Sequence, residues 1–306
     1  MNQMHLSRMI CPRSILLATD LHDLDLLLPV AIDQARMTGA MIWLLHVIPP
    51  EARMSVESEN LLGTQEKKAF LDAEAILTRV AFQLREKNIA CTYVVRRWYP
   101  VDQIEEFIRE HRIDRLILGT SARGKLDKLL VGSVAEELIR NVDIPVCTLS
   151  PHFKQLAHGT PPRIIFSLSL RHHPEHSFQF ATGLAEELNA ELTVLHVTGP
   201  DRFDDAADAG ARCKINELVS AAGRPPHIRI RSGEPVEEIL AECAALRPSL
   251  MVLGSIPAST MSARFRNGVV YRVIAQAPCP TFTLRSGARA KASASYREFS
   301  TVARER

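Results

Sequence analysis

A chain of 306 residues has room for two domains of ordinary size, each able to bury a core of its own. Its 46% apolar and 24% charged residues are those of a globular protein, and a net charge of +2 gives no bulk electrostatic case for a nucleic-acid partner. No apolar run nears the roughly 20 residues of a membrane span, so no membrane partner is expected. The opening "MNQMHLSRMICPRS" has no apolar stretch of the kind a signal peptide needs, which points to the cytoplasm.

In chain order, "ILLAT" (15–19) reads as a buried strand closed by Asp20. A helical pattern follows from Leu24 to Met37 and stops at Gly39, with Pro29 as its one discordant residue. "MIWLLHVI" is the second strand, with Val47 at its end. Residues 65–87 form a long helix on which Phe70, Leu77, Val80, Ala81 and Leu84 share a face. "CTYVVR" is the third strand. The helix after Pro100 turns Ile104, Phe107 and Ile108 inward and Glu105, Glu106 and Arg109 outward. "RLILG", ending at Gly119, and "PVCTL" complete the unit. Strand and helix alternate strictly, the pattern of a parallel sheet covered on both faces.

The unit then repeats. "ILLATDL" is echoed by "IIFSLSL", "AMIWLLHVIPP" by "AELTVLHVTGP", and "YPVDQIEEFIREHRIDRLILG" by "EPVEEILAECAALRPSLMVLG". "VDIPVCTLSP" is matched by "QAPCPTFTLR". Matches in the same order, each about one domain length apart, indicate internal duplication. The expected fold is α/β: two tandem, open, parallel-sheet sandwiches over residues 11–151 and 162–285, joined by "PHFKQLAHGTPP". The remaining 286–306 segment, basic and without periodicity, reads as a disordered tail.

Ligands of open parallel sheets sit at the carboxyl ends of the strands, near the point where strand order reverses. In the first repeat, Asp20, Val47 and the segment from Gly119 to Ser133 reach that edge. Gly119 and Gly132 let backbone come close to a ligand. The helix start after Gly132 favours an anion, and Arg123, Lys125 and Lys128 add positive charge. A structural alternative stands beside this. Ser133 and Glu136 fit S-x-x-E, a capping box that would close the helix start with no ligand at all. The loop is not a Walker A motif, since it lacks G-K-[ST].

"GTSARGKLDKLLVGSV" resembles the nucleotide loop of the universal stress protein family, G-x2-G-x9-G-[ST]. Gly119 matches the first glycine, Gly132 the last and Ser133 the hydroxyl residue, while "ATDL" and "LHV" match the family's first and second strand ends. The resemblance spans both repeats. It implies a Rossmann-like fold of the adenine-nucleotide α-hydrolase type, with the repeats related by a pseudo-two-fold axis. It also implies ATP as ligand, with Mg, and a role in stress response by binding rather than catalysis. Asp20 and Val47 would hold the base and ribose, and Gly119, Gly132 and Ser133 the phosphates, with Ala122 and Val134 also placed at the binding site. Family members commonly associate through their last strands, here "VCTLS" and "TFTLR", so an intramolecular pseudo-dimer is expected, and a homodimer of the whole chain is compatible with it.

Two departures stand out. Ala122 replaces the second motif glycine, and Trp98 replaces the glycine usual after the third strand; an aromatic there could cover the pocket, and packing in a core or an interface is the expected role. The second repeat carries Ser169 in place of Asp20, and Gly268 lies 14 positions after Gly254 where Gly132 lies 13 after Gly119, so that site is expected to be degenerate. An interaction scaffold with both sites vestigial is the alternative function. "RHHPEH" (171–176) reads as a solvated loop rather than a metal site. His46 and His196 read as packing or hydrogen-bonding residues, and the six cysteines as small buried hydrophobes.

Overall fold

The computed structural model describes residues 3–50, 59–120, 131–156, 159–170, 174–199, 205–220, 222–257 and 268–286. The chain opens with a short helix, α1 (Gln3–Ile10), which the apolar pattern had not marked. The first repeat follows: β1 (Ser14–Thr19), α2 (Leu24–Thr38), β2 (Met41–Ile48), α3 (Glu59–Glu86), β3 (Cys91–Arg97), α4 (Pro100–His111), β4 (Arg115–Gly119), α5 (Ser133–Asn141) and β5 (Val146–Leu149). The second has the same order: β6 (Arg163–Leu168), α6 (Glu175–Glu187), β7 (Glu191–Thr198), α7 (Asp205–Val219), β8 (His227–Ser232), α8 (Pro235–Leu246), β9 (Leu250–Pro257), α9 (Val269–Gln276) and β10 (Thr281–Ser286).

The strands form one sheet of ten in the order β3-β2-β1-β4-β5-β10-β9-β6-β7-β8. Every neighbouring pair is parallel except β5 and β10, which meet antiparallel at the centre. Cys147 faces Phe282, Thr148 faces Thr281 and Val146 faces Thr283. Cys147 and Phe282 hold the same place in "PVCTL" and "PTFTL", so the pseudo-two-fold axis passes through this pair. The last strands of the repeats associate as expected.

Each face of the sheet carries a continuous apolar layer. Leu17, Leu27, Leu77, Ile117, Phe166 and Phe180 belong to one and Leu16, Phe107, Leu116, Leu138, Ile165 and Val273 to the other. Strand residues alternate between the two layers, as a pleated sheet buried on both sides requires. On α4 the apolar face predicted by the periodicity is the buried one, with Ile104, Phe107 and Ile108 inside. Pro29 lies within α2 without ending it, and Gly39 closes that helix with a left-handed φ of +69°. Four of the cysteines are buried; Cys11 is half-buried and Cys213, on α7, is exposed, contrary to expectation.

Beside the axis lies a buried cation. Arg115 of β4 is 2% exposed, and burial lowers its pKa to about 10, still charged at neutral pH. It donates to Gln34 Oε1 of α2 at 2.9 Å and to the carbonyls of Met9 and Ile10 at 2.6 and 3.0 Å. Its guanidinium lies 5.0 Å from the Phe282 ring of the second repeat. A cation at these carbonyls complements the carboxyl end of α1. Ile10 then packs over α6, so close to Gly183 that a side chain there would meet it. One side chain therefore ties α1, α2 and both repeats together. Arg115→Met is expected to lower stability by about 2–4 kcal/mol, because the carbonyls it serves lose their donor in a buried place. Urea unfolding checks this; a loss under about 1 kcal/mol would show that α1 docks without it.

Candidate functional site

Strand register assembles the edge. Ala18 pairs with Leu45 on one side and Leu118 on the other, and Thr19 pairs with His46. One step further, Asp20, Val47 and Thr120 stand in a row at the carboxyl end, where β1 separates strands that run outward in opposite orders. This is the reversal point at which such sheets bind ligands. Val47 is buried, and β2 continues one residue beyond it to Ile48.

The turn after β1 is held by its own side chains. Thr19 Oγ1 accepts from Leu21 N at 2.8 Å and donates to Asp23 Oδ1 at 2.5 Å. Asp20 Oδ1 accepts from His22 N at 2.9 Å. These contacts carry the chain through Leu21, whose φ is +74°, and into α2, where Asp23 is the N-cap. The ring of His46 bonds the Thr19 carbonyl at 2.9 Å, and His196 bonds Leu168 O at 3.1 Å in the second repeat. The two histidines are thus hydrogen-bonded supports of the strand ends.

Asp23 is the residue that sequence reasoning missed. A methyl group on Gly119 would stand 2.9 Å from Asp23 Oδ2, so the glycine makes room for this carboxyl. Burial is the main reason its pKa rises from 3.8 to about 6; the Thr19 bond opposes the rise and the Asp20 charge adds to it. An acid near a helix start ordinarily reads as a solvated cap, and only the three-dimensional contact with Gly119 distinguishes it.

The loop between β4 and α5 is pinned at its ends. Thr120, fully buried, donates from its N–H to Leu149 O at 3.0 Å, and its carbonyl accepts from Gly132 N at 2.9 Å. The first and last motif glycines are thereby brought together. Ala122, Arg123, Lys125 and Lys128 lie outside the described residues. Gly132, at φ −63° and ψ 149°, is the N-cap of α5. Ser133 and Val134 are the first helical positions, and Glu136 N donates to Gly132 O at 2.9 Å. The capping box is therefore corrected: its register is one residue off. Ser133 is inside the helix, and Glu136 is buried toward Arg140, 3.9 Å away. A glycine cap contributes no side chain to the N–H groups of the first turn, and those groups favour an anion.

Of the roles expected for Trp98, core packing is the one the structure overturns. Trp98 is 59% exposed, and its ring meets that of Tyr99 edge-on at 5.3 Å. Its φ is +107°, in the region that favours glycine. Trp98 N donates to Ile48 O at 3.0 Å just as Gly233 N donates to Thr198 O at 3.0 Å.

The corresponding edge of the second repeat is chemically different. Leu168 and Ser169 replace Thr19 and Asp20, so the hydroxyl-carboxyl pair is absent there. β9 runs through Gly254 to Pro257, pairing Ile256 with Arg285 and Pro257 with Ser286. Strand thus continues where the first repeat has begun its loop. Gly268 caps α9 with φ −66° and ψ 149°, nearly the Gly132 geometry. Arg272, at the position of Glu136, pairs instead with Glu234 at 3.0 Å. Arg264 and Arg266 of that loop, the histidines at 172 and 173 and the tail beyond residue 286 lie outside the described residues. Among the described residues no group of acids, histidines or cysteines is placed to hold a metal, and no helix is long and apolar enough to cross a membrane.

Residues 12–149 and 163–285 both match the Universal stress protein family. The chain belongs to that family, as a tandem member. A universal stress protein of Methanocaldococcus jannaschii is 23% identical over 144 residues, covering 47% of this chain and 85% of the relative. The crystal structure of a universal stress protein from Archaeoglobus fulgidus superposes with a TM-score of 0.69 at 21% identity, over 90% of this chain and 99% of that one. A Pseudomonas aeruginosa protein of unknown function gives 0.64 at 18% identity, over 91% and 94% of the two chains. These likenesses establish the fold of both repeats together.

The Asp23 carboxyl supplies a test of the site's electrostatics. Its folded pKa, about 6, exceeds the value near 3.9 expected in an unfolded chain, so between these values the folded state holds more of the proton. Stability contributed by this group is present at low pH, falls as pH rises from about 4 to about 6, and stays lowered above that. Asp23→Asn keeps an acceptor for Thr19 and abolishes the loss. The variant is expected to exceed wild type by on the order of 1–3 kcal/mol at pH 7 and to show little advantage near pH 4. Urea unfolding at both pH values decides; an equal effect at the two would rule out the titration.

Proposed function

We propose that the first repeat of this universal stress protein binds ATP with Mg²⁺ and serves as a sensing module in stress response, without turnover as its purpose. The observation that supports this most is the pinned loop. Thr120 and Gly132 bond directly to each other, and a glycine-capped helix begins beside the strand end that carries Asp20. Gly119, Gly132, Ser133 and Val134 would hold the phosphates through close backbone approach and the N–H groups of the helix start. Asp20 would accept from ribose hydroxyls, and the Val47 backbone would meet the base. Mg²⁺ carried with the nucleotide offsets the charge that Asp23 brings beside Gly119.

The second repeat fits a supporting role, since it lacks the carboxylate and extends β9 into the loop. One site per chain is the consequence. A scaffold with no nucleotide is the competing function. It draws support from Ala122 at the second motif glycine and from the Asp23 carboxyl, an anion on the phosphate side of the site whenever it is ionised.

The full chain purified without added nucleotide, denatured and analysed by HPLC, then titrated with Mg-ATP, separates the two. Close to one ATP per chain is expected, with Asp20→Ala weakening binding at least tenfold, the loss of a charge-assisted hydrogen bond of about 1.5 kcal/mol or more. No nucleotide in the extract and no binding at millimolar Mg-ATP would leave the scaffold function.

A further inference from the structure

Trp98 is held in a strained backbone conformation at the rim of the first repeat. A non-glycine residue at φ +107° is strained by roughly 1–3 kcal/mol, and such strain persists where the surroundings or a function hold it. Packing does not account for it, because the side chain is 59% exposed and meets Tyr99, itself 54% exposed. The side chains just before it are engaged elsewhere. Arg96 lies over Phe107 and pairs with Glu106 and Glu110, and Arg97 lies over Phe70 and pairs with Glu66. Trp98 is the first side chain past β3 left standing at the edge.

Its backbone is fixed against the site. The Trp98 N–H bonds Ile48 O, and the preceding residues pair in register, Arg96 with Val47 and Arg97 with Ile48. Adjacent strands lie about 4.8 Å apart, so the indole springs from one strand across and two residues beyond the Val47–Arg96 pairing. The repeats differ here in a consistent way. The copy that keeps Asp20, Gly119 and Gly132 carries the strained aromatic. The copy that has lost the carboxylate carries Gly233, at φ +154°, which suits the turn without strain. In that copy a side chain would also collide with Glu238, 2.8 Å from the position of a Cβ.

We propose that Trp98 is the base-side wall of the nucleotide site, stacking its indole on the adenine ring. This rests on the nucleotide reading of the first repeat and adds to it the residue that favours a large, flat base. Base–aromatic stacking is of the same order as the strain of holding an indole at this turn. The gain is realised only with ligand bound, while the strain is present always.

Mg-ATP titration of the full chain by calorimetry, for wild type, Trp98→Gly and Trp98→Phe, tests this. Trp98→Gly is expected to bind roughly ten- to a hundredfold more weakly while melting no lower than wild type, since glycine suits the turn. Trp98→Phe is expected to recover most of the affinity. In a Trp43→Phe background, Trp98 emission should change along the same binding curve. If wild type binds and Trp98→Gly binds equally well, stacking is refuted and the nucleotide reading stands. If Trp98→Phe is as weak as Trp98→Gly, or Trp98 emission ignores bound ATP, stacking is likewise refuted. If wild type does not bind Mg-ATP, both fall together.

Discussion

Two open sheets meet across β5 and β10, and the rest of the molecule is built outward from that contact. Each of these strands would otherwise end its sheet as an apolar edge, a surface prone to pair with other chains. Pairing them antiparallel leaves β3 and β8 as the outer edges, and these are marked by Arg96, Arg97, Arg229 and Arg231. Arginine at an edge discourages further strand addition, and here it is also bound: Arg229 and Arg231 both reach the buried carboxylate of Glu242, at 2.6 and 2.9 Å. The corresponding position in the first repeat is Phe107, over which Arg96 lies at 5.0 Å. At this one helix position the cationic edge thus meets a ring in the first repeat, beside the Glu106 and Glu110 carboxylates, and a buried carboxylate in the second.

The central pairing also explains why a charge is tolerated near the axis. Among the described residues, Arg115 has no carboxylate in ion-pair contact with it. Its Nη atoms are satisfied by Gln34 and by the last carbonyls of α1, and its plane by Phe282, while among the described residues its Nε finds no acceptor. Burying a cation is costly unless it is well bonded. What this arrangement secures is the docking of a helix too short to be stable alone, across two repeats that the sheet has already joined. The docking of α1, whose last carbonyls would lose their donor without Arg115, is the consistent account of such a group.

Much of this was legible in the chain. Alternating short apolar runs and helical patterns gave the class of fold, and internal repetition gave the two-fold arrangement, because the same elements in the same order must fold alike. The motif glycines were legible as an edge near the reversal of strand order. Other features were not. The cap of α5 was misplaced by one residue, since S-x-x-E describes a spacing and Gly132 adopts the extended cap conformation without needing a side chain. Asp23 was invisible because its carboxyl lies against Gly119, 96 positions away in the chain. Trp98 could be flagged by aligning it with Gly233, yet a sequence carries no φ angle, and an aromatic beside Pro100 reads as packing until its exposure is known.

The divergence of the repeats is concentrated at their carboxyl edges while the backbone beneath stays the same. His46 and His196 support equivalent carbonyls, Gly132 and Gly268 cap equivalent helices, and Trp98 and Gly233 donate equivalent hydrogen bonds. Around that shared frame, Thr19 and Asp23 are a bonded polar pair in one copy, and apolar Leu168 stands at the Thr19 position in the other. Duplication supplies two edges, but the shared central pairing requires only that both repeats fold. One edge is then free to lose its polar groups and lengthen β9 at little cost in stability. The other keeps a half-buried acid and a strained aromatic, each unfavourable for folding. Stability alone would remove both. The strained aromatic is confined to the copy with the intact strand-end acid, as the proposed base-stacking role requires, whereas the half-buried Asp23 acid is the feature that favours a scaffold.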